Sequence, residues 1–217
     1  MDDGRMNVLS VAMLEGLNAA LDRAQVDGTA VLLAGRQGVF SAGFDLAVFK
    51  RGKAEQVRML TLGARTAERL LAFPAPVVVA CGGHAIAMGT FLVLSGDLRL
   101  GVSDGPCKIA VNEVAIGLTV PRFAVEVCRQ RLAPAHFSRA LLTAAPYDAR
   151  KAAEAGFLDE LIPAADLLPT ARETALALSK LPREHYVATK LRAREPTLSA
   201  LRRASEADIE DWSHRIT

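Results

Sequence analysis

Hydrophobic positions follow two different periods along the chain. Residues 30–34 and 77–81 are unbroken apolar runs, the pattern of strands that are buried on both faces of a parallel sheet. Residues 11–25, which follow a capping Ser10, and residues 47–73 instead carry apolar side chains at helical spacing. The first part of the chain is therefore predicted to alternate strands and helices.

Toward the C-terminus the pattern becomes helical. Two more short strands and several short helices precede a final strand, which is predicted at residues 157–162. Three further helices are expected beyond it, separated by Pro182 and Pro196, because proline lacks the backbone donor that a helix interior needs. The chain is thus predicted to form a core over residues 1–163 and a helical lobe over residues 164–217.

Two loops are the candidates for chemistry. The first loop, residues 39–46 (VFSAGFDL), and the second loop, residues 82–89 (GGHAIAMG), each follow an apolar run and open into a predicted helix. Two such loops can aim backbone N–H groups at one point. This arrangement stabilises the anionic transition states of acyl chemistry, where the loss of one donor costs roughly 3–4 kcal/mol.

Composition excludes several classes of function. The 217 residues are 51% hydrophobic and carry a formal net charge of only +2, so no nucleic-acid partner is indicated. Cys81, Cys107 and Cys128 lack the spacing of a zinc or redox motif and are expected to be reduced thiols, with no metal bound. No apolar stretch approaches the roughly 18 residues of a membrane span, and no leader pattern opens the chain. A cytoplasmic protein without membrane association is expected.

Three segments, in this order and spacing, resemble the crotonase superfamily, which contains enoyl-CoA hydratases and isomerases. They are FSAGFDL at 40–46, GGHAIAMGTFLVLSGDLRL at 82–100 and AVNEVAIGLTVP at 110–121. The resemblance implies an α/β fold, a crotonase-like (ClpP/crotonase) spiral of ββα units with a helical C-terminal lobe that serves oligomerisation and covers the active site. It also implies a homotrimer or hexamer that acts in fatty-acid metabolism on an acyl-CoA thioester. Coenzyme A would be part of the substrate, and no cofactor would be permanently bound.

The resemblance also implies roles for individual residues. The backbone N–H groups of Phe44 and Met88 match the two donors of the family's oxyanion hole. Asp45 matches a position that lines coenzyme A, although its carboxylate could equally cap the helix that follows. The positions expected to contact substrate or coenzyme A are Ala42, Gly43, Asp45, Leu46, Gly89 and Phe91. Without the resemblance, Gly43 and Gly89 would be ordinary turn glycines.

The number of acidic groups separates the family's reactions. Its hydratases carry two glutamates, and at the first of these positions this chain has Phe91, which cannot transfer a proton. At the second position it has Glu113, whose pKa apolar neighbours are expected to raise. Addition of water across a double bond is best served by two groups, whereas movement of a double bond needs a single base. Glu113 alone is therefore predicted to serve isomerisation.

Three functions follow in order of preference. The first is isomerisation of 3-enoyl-CoA to 2-enoyl-CoA, and the second is hydration of 2-enoyl-CoA, with another group or a water chain in place of the missing glutamate. The third is a non-catalytic acyl-CoA-binding subunit, which the missing glutamate and the short segment before Asn7 leave open. Glu113 could also be an exposed carboxylate at a strand end, and His84 is expected to be a packing residue.

Overall fold

The computed structural model describes residues 1–215, which form two parallel sheets and the helices around them. The strands are β1 (Val31–Ala34), β2 (Gly38–Ser41), β3 (Val77–Cys81), β4 (Gly83–Ile86), β5 (Leu98–Val102), β6 (Ile109–Ala110) and β7 (Glu160–Ile162). The helices are α1 (Val11–Asp27), α2 (Lys53–Leu71), α3 (Met88–Leu94), α4 (Arg122–Arg129), α5 (Pro134–Leu142), α6 (Ala149–Ala155), α7 (Ala164–Ser179) and α8 (Arg183–Arg215). One sheet has the order β1-β3-β5-β7 and the other the order β2-β4-β6.

A unit of two strands and a helix occurs three times in succession. The units are β1-β2-α2, β3-β4-α3 and β5-β6-α4. The first strand of each unit joins the four-stranded sheet and the second strand joins the three-stranded sheet, so the chain advances as a spiral. Short 3-10 turns, Leu46–Lys50 and Val114–Ile116, precede the helices of the first and third units. The helical stretch predicted over residues 47–73 therefore consists of one such turn and α2.

The two apolar runs differ in burial. Every residue of β3 is buried, as predicted, because Val77, Val79 and Cys81 pack into one core cluster and Val78 and Ala80 pack into a second cluster on the opposite face of the sheet. The prediction that β1 is also buried on both faces was wrong, since only Leu33 is buried there. β1 is the edge strand of its sheet and is covered less completely, and its apolar sequence does not reveal that position.

Parts of both loops are strands, which the sequence did not predict. The first loop begins within β2, and half of the second loop is β4. These strands pair in parallel, with Gly38 opposite Gly83. A Cβ at Gly83 would lie 2.0 Å from the carbonyl carbon of Gly38, so only glycine permits this approach. The pairing places the two loops side by side.

The C-terminal segment also differs from the prediction. Instead of separate helices that meet at Pro196, residues 183–215 form the single helix α8, with Pro196 inside it. Proline costs a helix about 3 kcal/mol in its interior, so packing must compensate for that loss. The buried side chains of Leu198 and Leu201 supply such packing, and α8 lies against α2 and α4.

A buried ionic cluster fixes the start of α8 to the sheet. Asp97, which precedes β5, contacts Lys190 Nζ at 2.8 Å and Arg194 Nη1 at 2.7 Å. It also accepts hydrogen bonds of 2.8 Å from Tyr186 Oη and from the N–H of Val77. Because these partners surround a carboxylate that is largely removed from water, the cluster holds α8 in one position relative to the sheet.

Helix α7 covers one face of the four-stranded sheet. Its residues Leu167, Ala171 and Ala175 pack against Val78 and Leu100. The division into a core and a lobe at residue 163 stays a prediction, and the last two residues of that lobe, 216 and 217, lie outside the described part of the chain. None of the helices within residues 1–215 is long and apolar enough to cross a membrane.

Candidate active site

The backbone of the first loop turns the N–H of Phe44 away from the N-terminal segment. Leu9 donates to the carbonyl of Gly43 at 2.8 Å and accepts from the N–H of Asp45 at 3.4 Å, so Phe44 is the middle residue of a parallel bridge. In such a bridge the middle residue directs its own N–H to the opposite side. Within residues 1–215 the N–H of Phe44 has no recorded acceptor.

In the second loop, the residue before Met88 has a strained backbone conformation. Ala87 has φ 50° and ψ −121°, a conformation that costs an alanine of order 1–3 kcal/mol. Its N–H donates to the carbonyl of Ala110 at 2.9 Å, and the hydroxyl of Thr90 donates to Ala85 O and Ala110 O at 2.8 and 3.0 Å. These bonds hold the turn in place. Met88 begins α3, where the first N–H groups have no partner inside the helix.

Two glycines lie where the two loops touch. A Cβ at Gly43, which has φ +86°, would lie 2.8 Å from Ile86 O, 3.1 Å from Ala87 Cβ and 3.5 Å from Met88 N. Because Phe44 N is bonded to the carbonyl carbon of Gly43, the N–H groups of Phe44 and Met88 lie on the two sides of this contact. Gly89 is equally confined, since its Cβ would lie 2.6 Å from a backbone oxygen of β2. Both glycines thus mark contacts between the loops.

A cavity of about 560 Å³ lies beside these loops. Five of the residues singled out in the sequence line it: Ala42, Phe44, Leu46, Phe91 and Glu113. The other lining residues are Phe49, Leu60, Ile86, Ala87, Asn112, Ile116, Leu118, Thr119, Val120, Pro121, Arg122, Asp208, Asp211 and Trp212.

The remaining predicted site residues lie in or behind the loops. Three of these residues are buried where the two loops touch, and none of them lines the cavity: Gly43, Met88 and Gly89. Asp45 does not line it either. Its carboxylate accepts from the N–H of Ala47 at 3.0 Å and caps the 3-10 turn, which is the alternative that the sequence left open.

Glu113 presents a desolvated carboxylate to the cavity. Its backbone carbonyl accepts from the N–H groups of Ile116 and Leu118 at 3.1 and 2.9 Å, which fixes the residue at the start of a 3-10 turn. The residue is only 7% exposed, so the alternative of an exposed strand-end carboxylate was wrong. Its Oε2 has no hydrogen-bond partner among the described residues. Burial raises the pKa of Glu113 from 4.5 to about 7, close to that of a base that works at neutral pH.

Sequence reasoning missed several residues of the cavity. Asn112 lines it, and Asn112 Oδ1 is buried without a hydrogen-bond partner in the part of the chain that the structure describes. The sequence signal that could have identified Asn112 is its position next to Glu113 in the third matched segment. Asp208 and Trp212 come from α8, about a hundred residues further along the chain, and no local pattern connects them with the loops. His84 does not line the cavity, in keeping with the packing role expected for it.

Comparison with known proteins places the chain in a family. Residues 1–216 match the family model for enoyl-CoA hydratase/isomerase. The chain belongs to this family. A putative enoyl-CoA hydratase of Thermus thermophilus is 33% identical to it over 185 residues, which are 82% of this chain and 72% of that protein.

Solved structures of similar proteins share the fold of this enoyl-CoA hydratase/isomerase family member. The enoyl-CoA hydratase EchA3 of Mycobacterium ulcerans superposes with a TM-score of 0.93 at 43% identity and covers 98% of this chain and 93% of that one. An enoyl-CoA isomerase of Mycobacterium tuberculosis gives a TM-score of 0.90 at 40% identity and covers 98% and 91%. The chain therefore has the crotonase fold and is an enzyme of this family. Hydratases and isomerases both occur among its relatives.

The burial of Glu113 predicts a pH-dependent cost in stability. Because the folded-state pKa lies above the ordinary value, the folded state binds more protons than the unfolded state between pH 4.5 and about 7. Stability is therefore lost as the pH rises through that window. Glu113→Gln removes this cost, and we expect the variant to exceed the parent by up to about 3 kcal/mol at pH 8 and to be nearly equal to it at pH 4.5.

Denaturant unfolding at the two pH values tests this prediction. The matched control is Glu154→Gln, a substitution at an exposed glutamate of α6, which should change the stability by no more than about 0.5 kcal/mol. A gain for Glu113→Gln of the same size at both pH values would contradict a raised pKa in the folded protein.

Proposed function

We propose that this enzyme isomerises 3-enoyl-CoA to 2-enoyl-CoA, with Glu113 as the only acid and base. The observation that carries the proposal is that Glu113 is the one described carboxylate of the cavity with a buried, unpartnered oxygen. Asp208 accepts hydrogen bonds from the N–H groups of Arg122 and Phe123, and Asp211 is paired with Arg122. Those two groups are already engaged in holding α8 against α4.

The reaction follows from one base and two donors. The carboxylate of Glu113 removes a proton from C2 of the bound 3-enoyl thioester, and the electron pair of that C–H bond moves into conjugation with the thioester carbonyl. The dienolate oxygen would be stabilised by the N–H groups of Phe44 and Met88, each of which contributes about 3–4 kcal/mol to such an oxyanion. Protonated Glu113 then returns the proton at C4, and the double bond lies between C2 and C3.

Phe91 supports a single-base reaction. It is 1% exposed and lines the cavity at the position where hydratases of the family carry their other glutamate. An aromatic ring can neither activate water nor transfer a proton. Coenzyme A enters only as part of the substrate, and the proposed steps use protein groups alone.

Hydration of 2-enoyl-CoA is the second candidate. Asn112 Oδ1 is buried beside Glu113 without a recorded partner in residues 1–215, and an unpaired amide oxygen at a cavity can hold a water molecule. Such a water would add to C3 as Glu113 takes its proton, and protonated Glu113 would then deliver that proton to C2. Binding of acyl-CoA without turnover is the remaining alternative.

A side-by-side assay distinguishes these functions. Purified enzyme is given 3-hexenoyl-CoA and crotonyl-CoA under identical conditions, and product is measured in each case. We expect isomerisation to exceed hydration at least tenfold in kcat/KM. Faster hydration would overturn the proposal in favour of a hydratase, and tight binding by calorimetry without either product would indicate a binding subunit. The homotrimer or hexamer and the cytoplasmic location expected from the sequence stay predictions.

A further inference from the structure

Charge is unevenly distributed around the cavity. Lys50 is exposed at the end of the 3-10 turn whose residues Leu46 and Phe49 line the cavity, and Lys53 is exposed at the start of α2. Arg51 lies between them and pairs with Glu55. This rim therefore attracts anions. Another part of the wall, contributed by α8 and the start of α4, contains Asp208 and Asp211, both of which are engaged with Arg122.

This distribution orients an acyl-CoA thioester. Coenzyme A carries several phosphate charges, which are favoured where they stay in contact with water and with cations rather than among apolar side chains. The basic residues favour these phosphates near the 3-10 turn. The acyl chain then occupies the cavity itself, where Trp212 of α8 forms part of the wall.

Trp212 is held firmly in that wall. Its ring meets the ring of Phe123 edge to face at 6.3 Å, and Phe123 meets Phe91 in the same way at 6.0 Å. One turn before it, Asp208 accepts from the N–H groups of Arg122 and Phe123 at 3.0 and 2.8 Å and so fixes α8 to the start of α4. Because the rings behind Trp212 are fully buried, its side chain cannot move backward to admit a longer chain.

We propose that Trp212 is the residue that sets acyl-chain length, by closing the acyl end of the cavity. Asp208 acts as a positioning residue that holds Trp212 there. The inference rests on the proposed isomerase function and specifies its substrates as 3-enoyl-CoA thioesters of short to medium chain length. Removal of the indole should extend the cavity toward α8 and allow additional methylene groups to be buried, each of which contributes about fourfold to affinity.

The first test compares Trp212→Ala and Trp212→Phe with the parent enzyme over 3-enoyl-CoA substrates from six to sixteen carbons. In Trp212→Ala we expect the kcat/KM ratio of dodecenoyl-CoA to hexenoyl-CoA to rise at least tenfold, with a smaller rise in Trp212→Phe. Leu191→Ala, at an exposed position of α8, is the matched control and should leave the ratio unchanged. An equal loss for all chain lengths in Trp212→Ala would overturn the proposal.

A binding measurement tests where the acyl chain lies without requiring the enzyme to catalyse a reaction. Trp212 is the only tryptophan of the chain, so intrinsic fluorescence of the parent enzyme reports on this position alone. We expect decanoyl-CoA to change the emission and coenzyme A or acetyl-CoA to leave it unchanged. A change with coenzyme A alone would place the nucleotide at α8 and refute the orientation. Because saturated thioesters do not react, the result holds even if isomerase activity is absent.

Discussion

Glu113→Gln should lower kcat for 3-hexenoyl-CoA by about 10²–10⁴-fold, the range that a general acid and base contributes. Glutamine has nearly the same volume and keeps the backbone turn that positions residue 113, but its amide cannot accept the proton from C2. The proposed oxyanion donors, the N–H groups of Phe44 and Met88, belong to the backbone and remain in place. Affinity for hexanoyl-CoA, measured by calorimetry, should therefore change little. A variant that keeps wild-type kcat would remove Glu113 from the mechanism.

The pH dependence of the parent enzyme belongs to the same prediction. Only the ionised carboxylate can act as base, and burial raises the pKa of Glu113 to about 7. We therefore expect kcat/KM to rise with pH through about 7 and then to level off. Glu154→Gln, at an exposed glutamate, should keep both the rate and the profile. A profile that is flat from pH 5 to 9 would show that another group transfers the proton.

The parts of the fold that were predictable are those specified by local sequence. The helix after Ser10 is an example, because the Ser10 hydroxyl accepts from the N–H of Met13 at 3.2 Å and starts the helix where its apolar spacing begins. β3 is another, since the valine-rich run between Pro76 and Gly82 favours a strand covered on both faces. Each signal lies within a few residues of the feature that it predicts.

The parts that failed depend on distant contacts. The pairing of Gly38 with Gly83 creates β2 and β4, yet neither four-residue segment has the pattern of an independent strand. Pro196 would end an isolated helix, but burial of Leu198 and Leu201 extends α8 past it. In both cases tertiary packing outweighs local preference, which one segment of sequence cannot reveal.

The candidate site shows the same division. Glu113, Phe44 and Met88 were identified from three short segments, and the structure brings those segments around one cavity or directly behind it. Asp208 and Trp212 complete the wall from α8 and were not identified. Resemblance to a family finds residues within its motifs, whereas the acyl end of this cavity is closed by residues outside them.

Gly43→Ala should lower kcat by about 10²–10³-fold, as expected when one oxyanion donor is lost. The new methyl group would lie 2.8 Å from Ile86 O and 3.1 Å from Ala87 Cβ, so the two loops must move apart. The N–H groups of Phe44 and Met88, which we propose as the oxyanion donors, would then be moved apart, although Glu113 would remain in place. Steady-state kinetics with 3-hexenoyl-CoA measure the loss, and thermal unfolding shows whether the variant is folded.

Gly105→Ala is the control for Gly43→Ala, because it introduces the same kind of backbone strain without pushing two loops apart. Gly105 has φ +113° and, like Gly43, adopts a conformation that an alanine rarely accepts, but a Cβ there meets nothing within 4 Å. Both substitutions should therefore lower stability by about 1–2 kcal/mol through strain, whereas only Gly43→Ala should lose activity. If the two variants had the same kcat, the close packing of Gly43 against the second loop would not be what aligns the donors, and the proposed oxyanion hole would lose its structural basis.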